Sequence, residues 1–166
     1  MERTDKINYY LDIADTVSKR STCIRRQFGA IIVRNDEILS TGYNGAPRGR
    51  KNCEDLGHCH REALEIPTGE RYELCRSVHA EANAIISAPR RDMLGGTIYL
   101  AGRRYKCGEI YRDATPCAMC KRLIINAGIS RIFCRTGETE YEMIEVRDWI
   151  FNDETLVRPM RKSKEE

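Results

Sequence analysis

A layered α/β domain is predicted for this 166-residue chain by three observations. Short runs rich in β-branched residues alternate with stretches whose apolar residues recur at helical spacing. The length suits one domain, residues 1–166, with a proper core. Two groups of metal-ligating side chains, His79-Ala80-Glu81 and Pro116-Cys117-Ala118-Met119-Cys120, each stand where a loop gives way to a helix. Two helix N-termini can therefore converge on one metal ion.

The elements follow in order. Ile7, Tyr10, Leu11, Ala14 and Val17 recur at helical spacing, so a first helix is expected from a Thr4 or Asp5 cap to about Ser21. Gly29 to Val33 reads as a buried strand, Arg34 to Glu37 as a turn, and Ile38 to Tyr43 as the hairpin partner. Asn44-Gly45-Ala46-Pro47-Arg48-Gly49 breaks all periodicity: either a plain connection or a loop whose backbone approaches a ligand, with Asn44 offering a donor and an acceptor. Residues 50–78 form a polar, cysteine-rich excursion with a helical turn near Cys59 to Leu64. A helix from His79 to about Ala88 is closed by Pro89, and a strand covers Thr97 to Ala101. Residues 102–115 read as an inserted hairpin with Lys106-Cys107-Gly108 near its tip. The helix from Cys117 ends at Gly128, strands follow at Ser130 to Arg135 and Tyr141 to Val146, and Asp148 opens a terminal helix. From about residue 155 the chain reads as a solvated tail.

Composition narrows the partners. A hydrophobic fraction of 41% and a charged fraction of 32% describe a globular protein, without an apolar run of membrane-spanning length or a signal segment. A cytoplasmic protein with no membrane partner is expected. A net charge of +3 is too small to imply nucleic acid but suits a small anion. Eight cysteines without a secretory signal point to metal rather than disulfides.

His79, Cys117 and Cys120 supply one imidazole and two thiolates, which suit Zn2+ and leave a fourth tetrahedral position open. Cys117 and Cys120 share one helical face, and Pro116 presets the helix entry. Glu81, two residues past the histidine, is placed as a proton shuttle, not a ligand. Zinc there would lower the pKa of a bound water from ~15.7 to about 7, and the backbone amides beside Ala80 and Cys117 would orient water and substrate. The bland alternative is a structural zinc knuckle with Glu81 idle.

His-x-Glu followed by Pro-Cys-x-x-Cys is a recognised signature of zinc nucleobase deaminases. Together with Ser21 to Val33, Gly42 to Gly49, His79 to Ile85 and Ile124 to Ile129, it makes the chain resemble the cytidine deaminase superfamily, and within it the deoxycytidylate (dCMP) deaminases. The resemblance implies a three-layer αβα sandwich around a five-stranded mixed sheet, and conversion of dCMP to dUMP, the precursor for thymidylate synthesis. It implies His79, Cys117 and Cys120 as metal ligands and Glu81 as the catalytic acid–base. Asn44 resembles the residue holding the sugar, Arg26 is a phosphate contact, and Arg90 matches a position governing substrate choice in phage-type relatives. Assembly as a homo-oligomer, a hexamer or dimer, and regulation by dCTP and dTTP also come with it.

Some members carry a second, structural zinc with ligands resembling Cys23 and Cys53. Here Cys59 and Cys75 would complete it, with His58 or His60 as substitutes. Residues 50–78 hold too few apolar side chains to fold unaided. Rival functions are a deaminase of cytidine, dCTP, guanine or tRNA adenosine, and a non-catalytic zinc-stabilised interaction protein. Residues 102–115 depart from the family pattern, as does the stretch after Phe133.

Overall fold

The computed structural model describes residues 3–152. Its centre is a five-stranded sheet in the order β2-β1-β3-β4-β5, formed by β1 (Arg26–Arg34), β2 (Glu37–Tyr43), β3 (Thr97–Arg104), β4 (Arg131–Arg135) and β5 (Tyr141–Glu145). Only β3 and β4 run parallel, so the sheet is mixed, as expected. Period-two alternation divides its side chains between two helical layers. Ile31, Val33, Tyr99, Ala101 and Phe133 meet Tyr10, Leu11 and Ala14 of α1 (Lys6–Ser18). On the opposite face Ala30, Ile32, Ile98, Leu100, Ile132 and Cys134 meet the remaining layer. Its main helices are α4 (Ala80–Ile86), α6 (Ala118–Ala127) and α7 (Val146–Phe151).

Several boundaries differ from the sequence reading for identifiable reasons. Asp5, not Thr4, caps α1, with Oδ1 accepting from the Ile7 and Asn8 amides at 3.0 Å. The helix stops at Ser18, beyond which the Lys19, Arg20 and Ser21 amides make only tighter turn bonds to the Thr16, Val17 and Ser18 carbonyls. Strand β1 starts at Arg26 and β3 runs on to Arg104, since each pairs with the other over that whole length. Residues 102–104 are thus strand, and the inserted segment begins at Tyr105. Its hairpin is as expected: Arg104 and Gly108 bond across the turn, with Gly108 at φ 69°. Helix α4 ends at Ile86, and Pro89 opens a separate short helix, α5 (Arg90–Met93), which seats Met93 in the core. The excursion contains α2 (Cys53–Leu56) as well as α3 (His60–Ala63). The tail expected from about residue 155 lies outside the described residues.

Helix α4 lies against β2 at one point of very close approach. A Cβ added to Gly42 would collide with the Ala80 carbonyl and the Ala84 amide, both α4 backbone. Ser40 supports the same contact from two residues away, donating its hydroxyl to the Ala84 carbonyl at 2.7 Å. The glycine therefore sets the height of the helix that carries His79 and Glu81. Gly42→Ala is expected to lower stability by about 1–3 kcal/mol, the usual cost of overpacking, and to lower metal content with it. Thermal melting with metal analysis of the same sample measures both.

Candidate metal centre and active site

Two helix starts meet on the face opposite α1. His79 is the N-cap residue of α4 and Cys117 that of α6, both in extended backbone, and Cys120 sits one turn into α6. His79 Nδ1 lies 3.4 Å from Cys117 Sγ and 3.5 Å from Cys120 Sγ, and all three ligand atoms fall within 4.8 Å of one another. Zinc–sulfur and zinc–nitrogen bonds of ~2.3 and ~2.05 Å at a tetrahedral angle would separate sulfur from nitrogen by about 3.6 Å. The spacing fits that ion. Among the described residues, no other three His, Cys, Asp or Glu ligand atoms come so close.

Glu81, in the first turn of α4, is 5% exposed and hydrogen-bonds the Cys120 thiol. Burial raises its pKa, with the neighbouring His79 charge opposing that rise. Hydrogen bonds within the cluster also shift the titration of its members. Burial alone would lower the pKa of His79, but hydrogen bonds to Cys117 and Cys75 outweigh it and raise the value to about 11. Cys117 is lowered to about 4, chiefly by its hydrogen bond with Cys120, against burial. Cys120 is raised by that same bond and by burial. The directions favour a protonated His79 and Cys120 beside a deprotonated Cys117.

The imidazole is also supported from outside. The Tyr72 ring meets it edge-on, with centroids 5.3 Å apart and planes at 79°. Arg61 is buried in turn, lies 4.4 Å over Tyr72, and donates to the Pro67 and Glu70 carbonyls at 2.8 and 2.5 Å. Tyr72, Cys75 and Arg61 therefore tie the excursion to His79, as outer contacts commonly orient a metal-ligating histidine. Sequence reading missed Tyr72 and Arg61. They lie in single helical turns, α3 and a 3-10 turn at Tyr72–Leu74, too short for a periodic stripe to mark which side chains turn inward.

The other candidates are placed less uniformly. Ala80 is fully buried at the start of α4. The Asn44 side chain is locked into the fold, its Oδ1 accepting from Ser21 Oγ and the Phe28 amide and its Nδ2 donating to the Arg26 carbonyl at 2.8 Å. One Nδ2 hydrogen is left over, so the loop is held rigidly beside β1. Arg26 lies 4.2 Å over the Tyr111 ring. Arg90 is exposed and donates to the Asn126 carbonyl at the end of α6. Cys23, Cys59 and Cys75 are near enough to Cys53 for their charges to reinforce the rise in its pKa that burial mainly causes.

A family profile described as cytidine and deoxycytidylate deaminase zinc-binding region matches residues 4–136. The chain belongs to this family. It is 35% identical over 136 residues to a deoxycytidylate deaminase of Mycobacterium phage D29, covering 80% of this chain and 95% of that protein. To the deoxycytidylate deaminase of Schizosaccharomyces pombe it is 33% identical over 130 residues, which is 78% of this chain but only 37% of the longer yeast protein. The fold resembles the dCMP deaminase of cyanophage S-TIM5 in complex with dCMP and dUMP, at TM-score 0.56, 23% identity, and coverage of 93% and 95% of the two chains. It also resembles cytidine deaminase from Burkholderia pseudomallei, at TM-score 0.51, 17% identity, and coverage of 84% and 92%. Among the described residues, no helix is long and apolar enough to cross a membrane.

Metal binding to this chain competes with the protons that the raised pKa values of His79 and Cys120 favour. Zinc added to metal-free protein near neutral pH is expected to release about two protons per catalytic site, and apparent affinity should fall as the pH is lowered. A pH-indicator titration measures the release; a value near zero would contradict the imidazolium–thiol assignment.

Proposed function

We propose that this chain is a zinc-dependent deoxycytidylate deaminase, converting dCMP and water to dUMP and ammonia. The observation that carries the reading is the buried Glu81 carboxyl beside an imidazole and two thiols at tetrahedral spacing. His79, Cys117 and Cys120 would hold the zinc, which supplies the Lewis acidity that makes water a nucleophile at neutral pH. Glu81 takes one proton from the attacking water and delivers it to N3 of cytosine as the C4–O bond forms. It then takes the proton remaining on that oxygen to the amino group. The C4–N bond breaks, ammonia leaves, and N3 keeps its proton in the uracil product. Burial of Glu81 suits this role, because a raised pKa lets one carboxyl both accept and return protons.

Asn44 and Ala80 would line the sugar and base pockets, and Arg26 would contact the 5′-phosphate; Arg90, expected there too, is bonded to Asn126 at the opposite end of α6 from Cys117. Eight free thiols suit a reducing cytoplasm. Ile86 and Leu123, 74% and 45% exposed on α4 and α6, suit a homo-oligomeric contact, and dCTP or dTTP as effectors rest on the family resemblance. Ammonia release from a panel of dCMP, CMP, deoxycytidine, dCTP, guanine and adenosine tests the substrate; preference for any member other than dCMP would overturn it. Glu81→Gln should keep its zinc and fold yet lose ~10²–10⁴-fold in turnover, the scale of general acid–base catalysis. Near wild-type turnover in the zinc-loaded variant would sink the mechanism.

The same reading gives the excursion a structural zinc held by Cys23, Cys53, Cys59 and Cys75. Between residues 50 and 78 only Cys53, Arg61 and Ser77 are buried, so apolar packing contributes little there. Cys23, Cys59 and Cys75 lie around Cys53, although without an ion no three of these sulfurs stand at the spacing of the His79 group, so metal would have to draw them together. Protein purified without chelator should contain about two zinc ions per chain, and Cys75→Ala about one. A single ion in fully folded, fully active wild type would rule the second site out.

A further inference from the structure

Where β3 gives way to the inserted segment, two cations that meet no carboxylate among the described residues lie on the catalytic face of the sheet. Phe28, Ala30 and Ile32 of β1, and Ile98 and Leu100 of β3, all pack toward the core that holds Ala80 and Cys120. Continuing that period-two alternation puts Arg26 and Arg104 on the same face at the strand ends. The odd-numbered neighbour confirms the parity. Arg103 points the other way, pairs with Asp15 of α1 through two nitrogens at 2.5 and 3.0 Å, and donates to the Gly108 carbonyl at 2.6 Å. This clamp anchors the hairpin and leaves Arg104 free of it.

Arg26 and Arg104 are direct cross-strand partners. Like charges so placed repel, and a fold keeps them together only against that cost. Both lie against one buried ring, with guanidinium carbons 4.2 and 5.6 Å from the Tyr111 centroid. Tyr111 is fixed edge-on to Phe28, with centroids 5.8 Å apart. The adjacent arginines are neutralised, Arg25 by Glu62 and Arg103 by Asp15. Among the described residues, Arg26 and Arg104 meet no carboxylate. The pair also stands next to the nucleotide loop, since the Arg26 carbonyl accepts from Asn44 Nδ2 at 2.8 Å. From Tyr111 the chain runs through buried Ala114 to Cys117.

We propose that Arg26 and Arg104, seated together on Tyr111, form the site for the phosphate monoester of the nucleotide, so that residues 104–111 supply one arm of the substrate pocket. Two guanidinium groups with no counter-charge match a dianion, and the aromatic platform holds both without neutralising them. Arg104 and Tyr111 thereby become specificity-determining residues. The proposal rests on the nucleotide deaminase reading given above.

The test is the ratio of kcat/KM for dCMP to that for deoxycytidine. Arg104→Gln should lower this ratio about 10- to 100-fold, the scale of losing a charged phosphate contact. Arg104→Lys should fall between, because an ammonium restores the charge but not the fork. Inorganic phosphate should compete with dCMP on the wild type and compete less on Arg104→Gln. If that variant melts below the assay temperature, Arg26→Gln is read on the same ratio. An unchanged ratio, or equal losses on both substrates, overturns the site. Wild type that deaminates deoxycytidine as well as dCMP overturns it too while leaving the chemistry standing; wild type inactive on both overturns the deaminase reading itself.

Discussion

Three ligand atoms belonging to segments 38 residues apart can share one ion only if two helices begin at the same place, and most of the fold answers to that requirement. The parallel β3–α6–β4 unit fixes the start of α6 at the end of the sheet. The start of α4 is fixed by its contact with Gly42 of β2, where helix and strand backbones touch without an intervening side chain. Strands β1 and β3 separate those two supports by fixed sheet spacings. The geometry of the site is therefore carried by backbone pairing and by a missing Cβ. Adaptable side-chain packing has little part in it.

Rigidity on the sheet side contrasts with the excursion on the other side of His79. There the order comes from polar contacts: buried Arg61 gathers two carbonyls and a tyrosine ring, and that ring abuts the imidazole. A histidine gripped from both sides has little freedom to swing between rotamers. The excursion thus acts on the chemistry through orientation, while contributing little to the main core.

Legibility in the sequence followed the physics of each element. Helices α1 and α6 bury one stripe each and end on a local signal, Asp5 at one start and Gly128 at one end, so they could be read. The metal-ligand triad was equally plain, because ligand chemistry needs those residue types at that spacing. Strand ends were not plain: Arg26 and Arg104 look like loop residues in isolation and become strand only through pairing with each other. Tyr72 and Tyr111 carry no periodic signal, and their importance arises from what folds over them. The role of Asn44 lay between these cases, its residue type suggestive but its bonds to Ser21, Phe28 and Arg26 set by tertiary structure.

The meeting of two helix starts at the metal centre has a consequence for how the protein takes up its ion. His79 and Cys117 already stand at ligand spacing, 3.4 Å apart, because each is the N-cap residue of a helix seated on the sheet. In small zinc fingers, by contrast, the ligands have nothing to hold them until metal arrives. Here sheet pairing and the seating of α4 and α6 set the ligand spacing, so closing the core does not depend on the ion to gather its ligands.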